Sequence, residues 1–180
     1  MNAFDLYLFR PLNSLAGSSG LFDSMVVFFA VYLLAVMLAG LAVFLLITFF
    51  PRYRHLRKEN AELFIFALAS AFVSRFVVAQ FIRFLYDRPR PFEVLESARQ
   101  IVEHSMGHAF PSGHASFTFG LAIAVYFYRP KIGVIFIAAA FLVSISRVVA
   151  GIHWPLDIIS GALVGVLTAF ILRALKRKYY

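Results

Sequence analysis

His153 and Asp157 close the run Ser146-Arg147-(five residues)-His153-(three residues)-Asp157. At that spacing the carboxylate can accept a hydrogen bond from one ring nitrogen of the histidine, which fixes the tautomer and leaves the other nitrogen free to attack or to carry a proton. A second histidine, His114, ends the run Phe110-Pro111-Ser112-Gly113-His114, where a turn opens a helix. Upstream stand Arg83, Arg88 and Arg90, interleaved with Pro89 and Pro91. Arginine forks bind phosphate oxygens in pairs, and a helix beginning at Ser112 adds backbone N–H groups and the positive end of its dipole. The expected ligand is a phosphate ester. Hydrolysis of such an ester needs a nucleophile and a general acid, tasks that two histidines can divide.

The elements that must bring these residues together are membrane helices. Of 180 residues, 62% are hydrophobic and only 14% charged, with a mean hydropathy of +0.83. A soluble domain has about 45–50% apolar and about 25% charged residues, so an ordinary water-soluble fold and a disordered chain are both excluded. Cysteine is absent, which excludes disulfides, thiolate nucleophiles and Cys-ligated metal clusters. Apolar runs cover Met25 to Phe50, Leu63 to Leu85, Ala115 to Tyr128, Ile132 to Val149 and Leu156 to Leu175. The reading is an all-α, polytopic bundle of five transmembrane helices, one membrane-embedded domain over residues 1–180, without repeats. Two amphipathic segments are expected as short interfacial helices: one bearing Phe4, Leu8, Leu12 and Leu15, the other Val94, Leu95, Ala98, Ile101 and Val102. Tyr53, Tyr86, Tyr126, Tyr128, Tyr179 and Trp154 sit near span ends, as an aromatic belt does.

Orientation follows from the basic residues, since cytoplasmic loops are rich in them. Arg52, Arg54, Arg57, Lys58, Arg129, Lys131 and the tail from Arg173 to Lys178 fall on one side, while Asp5, Asp23, Asp87, Glu93, Glu96, Glu103 and Asp157 fall on the other. The net charge of +8 is therefore topology, not a nucleic-acid footprint. A multi-pass protein of the cell (inner) membrane with a cytoplasmic C-terminus is expected. All three polar clusters then lie at the extracytoplasmic end. The third run is only about 21 Å of helix, short of a roughly 30 Å hydrocarbon core, so its outer end is recessed into a polar pocket.

Other polar residues have plainer readings. Arg88 is expected as a surface charge, Arg75 as part of an interior network near Ser70 or Ser74, and Ser112 as a helix N-cap as well as a phosphate contact. His104 and His108, with Glu103, are expected as solvated loop residues, with no metal site. Gly161 and Gly165 are expected to let helices pack closely within the bundle.

Taken together, Arg83-(six residues)-Arg90-Pro91, Pro111-Ser112-Gly113-His114 and Ser146-Arg147-(five residues)-His153-(three residues)-Asp157 resemble the three-part signature of the type-2 phosphatidic-acid phosphatase superfamily, over residues 83–157. The resemblance implies a phosphohydrolase with neither metal nor other cofactor. It implies that His153 attacks phosphorus to give a phosphohistidine, that Asp157 supports it and that His114 protonates the leaving oxygen. Arg83, Arg90, Ser112, Gly113 and Arg147 would hold the phosphoryl oxygens. The family usually has Lys where this chain has Arg83, which keeps the charge but replaces a point donor by a planar fork. Small members of this kind are similar to bacterial undecaprenyl-diphosphate phosphatases, so the partners implied are the bilayer and a lipid phosphate, best undecaprenyl diphosphate. Phosphatidylglycerophosphate or phosphatidate would satisfy the same arginines, and a lipid or anion transporter is the alternative of another class. Oligomeric state is not written in these residues.

Overall fold

The computed structural model describes residues 2–179, with Tyr179 described by its backbone alone, so the place of its ring in an aromatic belt lies outside the described residues. The fold is all-helical: α1 (Ala3–Asn13), α2 (Gly20–Phe49), α3 (Pro51–Leu85), α4 (Pro91–Val94), α5 (Gly113–Tyr128), α6 (Pro130–Val149) and α7 (Pro155–Tyr179). Four of these, α2, α3, α6 and α7, are long and apolar enough to cross a membrane, and the chain is a multi-pass membrane protein. The helix of the third expected span, α5, has 16 residues and lies in the middle of the bundle, packed by α3, α6 and α7. Its buried positions run round the whole helix, from Ala115 and Ser116 to Ala124 and Val125. An all-round burial of this kind belongs to a central helix rather than to one facing lipid.

Close approach of backbones holds α7 against α5. A side chain at Gly161 would come within 2.5 Å of the Ser112 carbonyl oxygen, and one at Gly165 within 2.5 Å of the Ser116 carbonyl. Between helices in lipid, van der Waals packing through small residues does the work that water does elsewhere. The expected glycine stripe is thus an intramolecular seam.

The helices sort the charges by end. Short connections at Phe50 and Arg129 join α2 to α3 and α5 to α6 at the basic end, where Lys176 bridges Glu62 at 3.0 Å and the Tyr128 hydroxyl at 2.9 Å. The opposite end carries α1, the segment 86–112 and the turn 150–154.

One of the two expected short helices forms at that end, and two other expectations fail there. α1 is helical, with Asp5, Phe9 and Asn13 buried and Phe4 and Leu15 exposed. Asn13 turns in because it holds two other segments: its Nδ2 donates to the carbonyls of Arg99 at 2.8 Å and Val149 at 2.9 Å, and its Oδ1 accepts from the Arg99 N–H at 2.9 Å. For the same reason the segment from Leu95 to Val102 is not a helix. Its backbone groups bond to Asn13 and, through Ile101, to the Ala150 carbonyl, and its apolar side chains pack inward against two small cores. Nor is Trp154 an interfacial aromatic. It is 1% exposed, stacked near Phe9, and its Nε1–H donates to the Pro89 carbonyl at 2.9 Å.

Candidate active site

Five pieces of chain meet at this end. The last turn of α3 brings Arg83, the segment after it brings Arg88 and Arg90, the start of α5 brings Ser112, Gly113 and His114, the end of α6 brings Arg147, and the turn into α7 brings His153 and Asp157. The 150–154 turn and the first turn of α7 share hydrogen bonds, which fix His153 relative to Asp157. The Asp157 Oδ2 accepts from the Trp154 N–H at 2.8 Å and from His153 Nδ1 at 3.4 Å. With Nδ1 so engaged, Nε2 faces the arginines, 3.3 Å from Nη1 of Arg90.

Three of the guanidiniums, those of Arg83, Arg90 and Arg147, are placed by backbone carbonyls, which orient them without neutralising them. Arg83 donates from Nε and Nη2 to the Pro111 carbonyl, at 3.1 and 2.8 Å. Arg90 donates to the carbonyls of Gly107 and Ile152, at 3.1 and 2.8 Å. Arg147, 2% exposed, donates through Nη1 to the Ala30 carbonyl at 3.0 Å. Ala30 lies in the π-helical turn Phe28–Tyr32 of α2, a widened turn in which a carbonyl is free to accept from a side chain. The remaining donors of Arg147, Nε and Nη2, are buried with no protein partner, and so is the hydroxyl of Ser112. Ser112 occupies the N-cap position of α5 but makes no capping bond, so the expected capping role is not what its side chain does. Its own N–H donates instead to the Asp157 carbonyl at 2.8 Å, tying the start of α5 to the start of α7.

Three residues of this site were read as something else or passed over. Arg88 is not a surface charge. Its side chain is 13% exposed, lies over the Trp154 ring, and bridges the carboxylates of Asp157, at 2.7 Å, and Asp5. Asp5 in turn accepts from the Leu156 N–H at 2.9 Å, so α1 caps the first turn of α7. The signal available was a carboxylate within an otherwise apolar N-terminal helix. His104 is not a solvated loop histidine: its ring meets that of His153 edge to face, with centroids 6.2 Å apart. His108 behaves as expected, exposed and beside Asp87.

The electrostatics follow from crowding of like charge in a low-dielectric place. Burial first, then the charges of Arg147 and Arg90, hold the His153 imidazole well below its ordinary range. Burial, then Arg90, brings His104 down to about 4. Both rings are therefore neutral near pH 7. Such a constellation offers a neutral imidazole with one nitrogen not held by the carboxylate, a second imidazole at a helix start, and guanidiniums, that of Arg147 with unpaired N–H donors. Chemically it can receive a phosphate group, attack its phosphorus and protonate an oxygen. Among the described residues no three His, Asp or Glu side chains converge as a metal-binding group.

Comparison with known proteins finds relatives over most of the chain. A family model described as the PAP2 superfamily matches residues 62–179. The chain is 30% identical over 161 residues to the bacitracin transport permease protein BcrC of Bacillus licheniformis, a match covering 89% of this chain and 75% of that one. It is 32% identical over 127 residues to an undecaprenyl-diphosphatase of Sulfolobus acidocaldarius, covering 70% of this chain and 58% of that one. The crystal structure of Aquifex aeolicus LpxE shares its fold with a TM-score of 0.71 at 26% identity, over 94% of each chain.

Proposed function

The chain belongs to the PAP2 superfamily and is a membrane-embedded phosphatase, and from that premise we propose that it hydrolyses a lipid phosphate, best undecaprenyl diphosphate, through a phosphohistidine on His153. The observation that carries this reading is a set of buried, unpartnered donors, Arg147 Nε and Nη2 and Ser112 Oγ, in the same cluster as an oriented His153–Asp157 pair. Buried polar groups in native proteins are paired, so donors of one polarity left without protein partners point to an anion as their occupant.

In the proposed reaction Nε2 of His153 attacks the terminal phosphorus and the bond from phosphorus to the leaving oxygen breaks. His114 gives its proton to that oxygen. Arg83, Arg90, Arg147, Ser112 and the Gly113 N–H hold the phosphoryl oxygens as charge spreads over them. Asp157 keeps the Nδ1 proton of His153 in place and balances the imidazolium character that attack creates. Water then attacks the phosphohistidine, His114 takes the water's proton, and inorganic phosphate leaves. No metal ion enters this scheme. The bundle is proposed to cross the membrane five times, α5 included, with the site at the extracytoplasmic face and the basic C-terminus in the cytoplasm, as the distribution of Lys and Arg supports.

The test is phosphate release by detergent-solubilised protein from undecaprenyl diphosphate, phosphatidylglycerophosphate and phosphatidate, beside His153→Ala. The diphosphate should be turned over fastest. His153→Ala should still bind phosphate but turn nothing over; turnover by that variant at the wild-type rate would overturn the mechanism. The relative named as a transport permease supplies a second reading. Lipid movement between the leaflets of proteoliposomes, undiminished by His153→Ala, would favour it.

A further inference from the structure

Arg75 is half-buried within α3, yet its guanidinium forms no hydrogen bond or ion pair with any described residue. Its one contact of note is with the neighbouring Phe76 ring, at 5.3 Å. The other arginines gathered at the site, Arg83, Arg88, Arg90 and Arg147, each hold at least one carbonyl or carboxylate. A guanidinium so placed is costly unless something answers its charge.

Its direction is set by a local irregularity of α3. Arg75 and Arg83 are eight positions apart, which on an uninterrupted α-helix leaves them roughly 80° apart around the axis. The π-helical turn Val73–Val78 takes up an extra residue and reduces that to about 20°, so both arginines face α5. Ser74, on the same turn, donates to the Ser116 carbonyl at 2.8 Å and docks α3 on the first turn of α5. Arg75 then lies flat against Gly113. A Cβ at Gly113 would stand 2.1 Å from Nε and 2.4 Å from Cζ of Arg75, so any larger residue there would push the guanidinium out of this position.

The two histidines have different cationic neighbours. Arg75 lies against Gly113, the residue before His114, whereas Nε2 of His153 faces Nη1 of Arg90 at 3.3 Å. Arg75 therefore stands beside the segment that carries the group proposed to protonate the departing oxygen.

We propose that Arg75, with the Gly113 end of α5, forms a second anion subsite that takes the phosphate remaining on the lipid when a lipid diphosphate is cleaved. This rests on the phosphatase reading and deepens it. When His153 attacks the terminal phosphorus of a diphosphate, the bridging P–O bond breaks and the electron pair stays with the bridging oxygen. The leaving group is then a phosphate monoester anion. Its oxygen needs a counter-charge more than a proton. A lipid monophosphate expels an alkoxide instead, for which the proton of His114 is the requirement and Arg75 has no partner.

The experiment compares Arg75→Gln and Arg75→Lys with wild type on a polyprenyl diphosphate and on the monophosphate of the same tail. Arg75→Gln should lower kcat/KM for the diphosphate by roughly 30-fold, the loss of one charge-assisted fork, and change monophosphate turnover by less than about threefold. Arg75→Lys should recover part of the diphosphate loss. The Ki of inorganic phosphate, which occupies the site at His153, should stay at the wild-type value in both variants. Equal losses on the two substrates, or no loss on either, overturn the subsite. If Arg75→Gln fails to fold, the same two-substrate comparison with Arg75→Lys decides. Wild-type protein that releases phosphate from neither lipid would instead sink the phosphatase reading on which the subsite rests.

Discussion

Nη1 of Arg88 donates to Oδ1 of Asp157 at 2.7 Å, on the carboxylate oxygen that His153 does not use. The proposed nucleophile is therefore oriented by a carboxylate that is itself oriented, and the second carboxylate on Arg88, Asp5, belongs to the first helix of the chain. Arg88→Gln should lower kcat by roughly 10- to 100-fold, as loss of an outer orienting partner does, with little change in KM. It should also destabilise the protein by about 3–5 kcal/mol, because two buried carboxylates lose their counter-charge. Melting in detergent and steady-state rates check both. Adding Asp5→Asn to Arg88→Gln should return part of the stability and none of the rate.

The pH profile should be wide on its acid side. A histidine depressed by burial and by neighbouring cations stays neutral below the ordinary imidazole value of about 6.5. The acid limb of kcat/KM, read as protonation of His153, should lie below pH 6.5, and replacing Arg90 with Gln should move it upward. Stability has the same sign. Between the unfolded imidazole value and the folded values, about 4 in the case of His104, the native state binds fewer protons than the unfolded chain. Stability should therefore fall as pH drops below about 6.5. The acid loss of stability should be smaller in a His104→Gln, His153→Gln double variant, and a loss that is unchanged in it would contradict this share of the two rings.

Turnover should persist in EDTA. Charge neutralisation in the proposed mechanism comes from Arg83, Arg90 and Arg147, none of which a chelator removes. Loss of activity in EDTA that returns on adding Zn²⁺ or Mg²⁺ would replace that mechanism.

Gly161→Val should cost on the order of 1–3 kcal/mol through overpacking, since the atom it meets is a backbone oxygen 2.5 Å away that cannot swing aside. That oxygen belongs to Ser112, so kcat should fall together with stability. The same change at Gly20, which has no neighbour within 4 Å, is the control.

What was legible in the sequence was whatever lies in short windows. Apolar runs located the helices, and the spacing of Arg83, Arg90, Ser112, His114, Arg147, His153 and Asp157 located the groups that the fold gathers. What was not legible depends on partners far along the chain. Arg88 looked like a surface charge because its two carboxylates lie 83 and 69 residues away. The stretch from Val94 to Val102 has helical periodicity, but Asn13, 86 residues distant from Arg99, captures its backbone groups and keeps it open. Trp154 carried the mark of an interfacial aromatic, and only the position of the Pro89 carbonyl accounts for its burial. The π turns at Ala30 and Arg75 have no pattern in their residue types that periodicity detects, yet each decides where an arginine points.

The bond from the Leu156 N–H to Asp5 spans 151 residues. Ribosomal synthesis delivers Asp5 long before Leu156, so this bond closes only after the turn 150–154 has been made and inserted. Asp157, the proposed partner of His153, meets Arg88 at the same stage. A partly synthesised chain would hold most of the bundle but no working centre, and competence would arrive in a single late step.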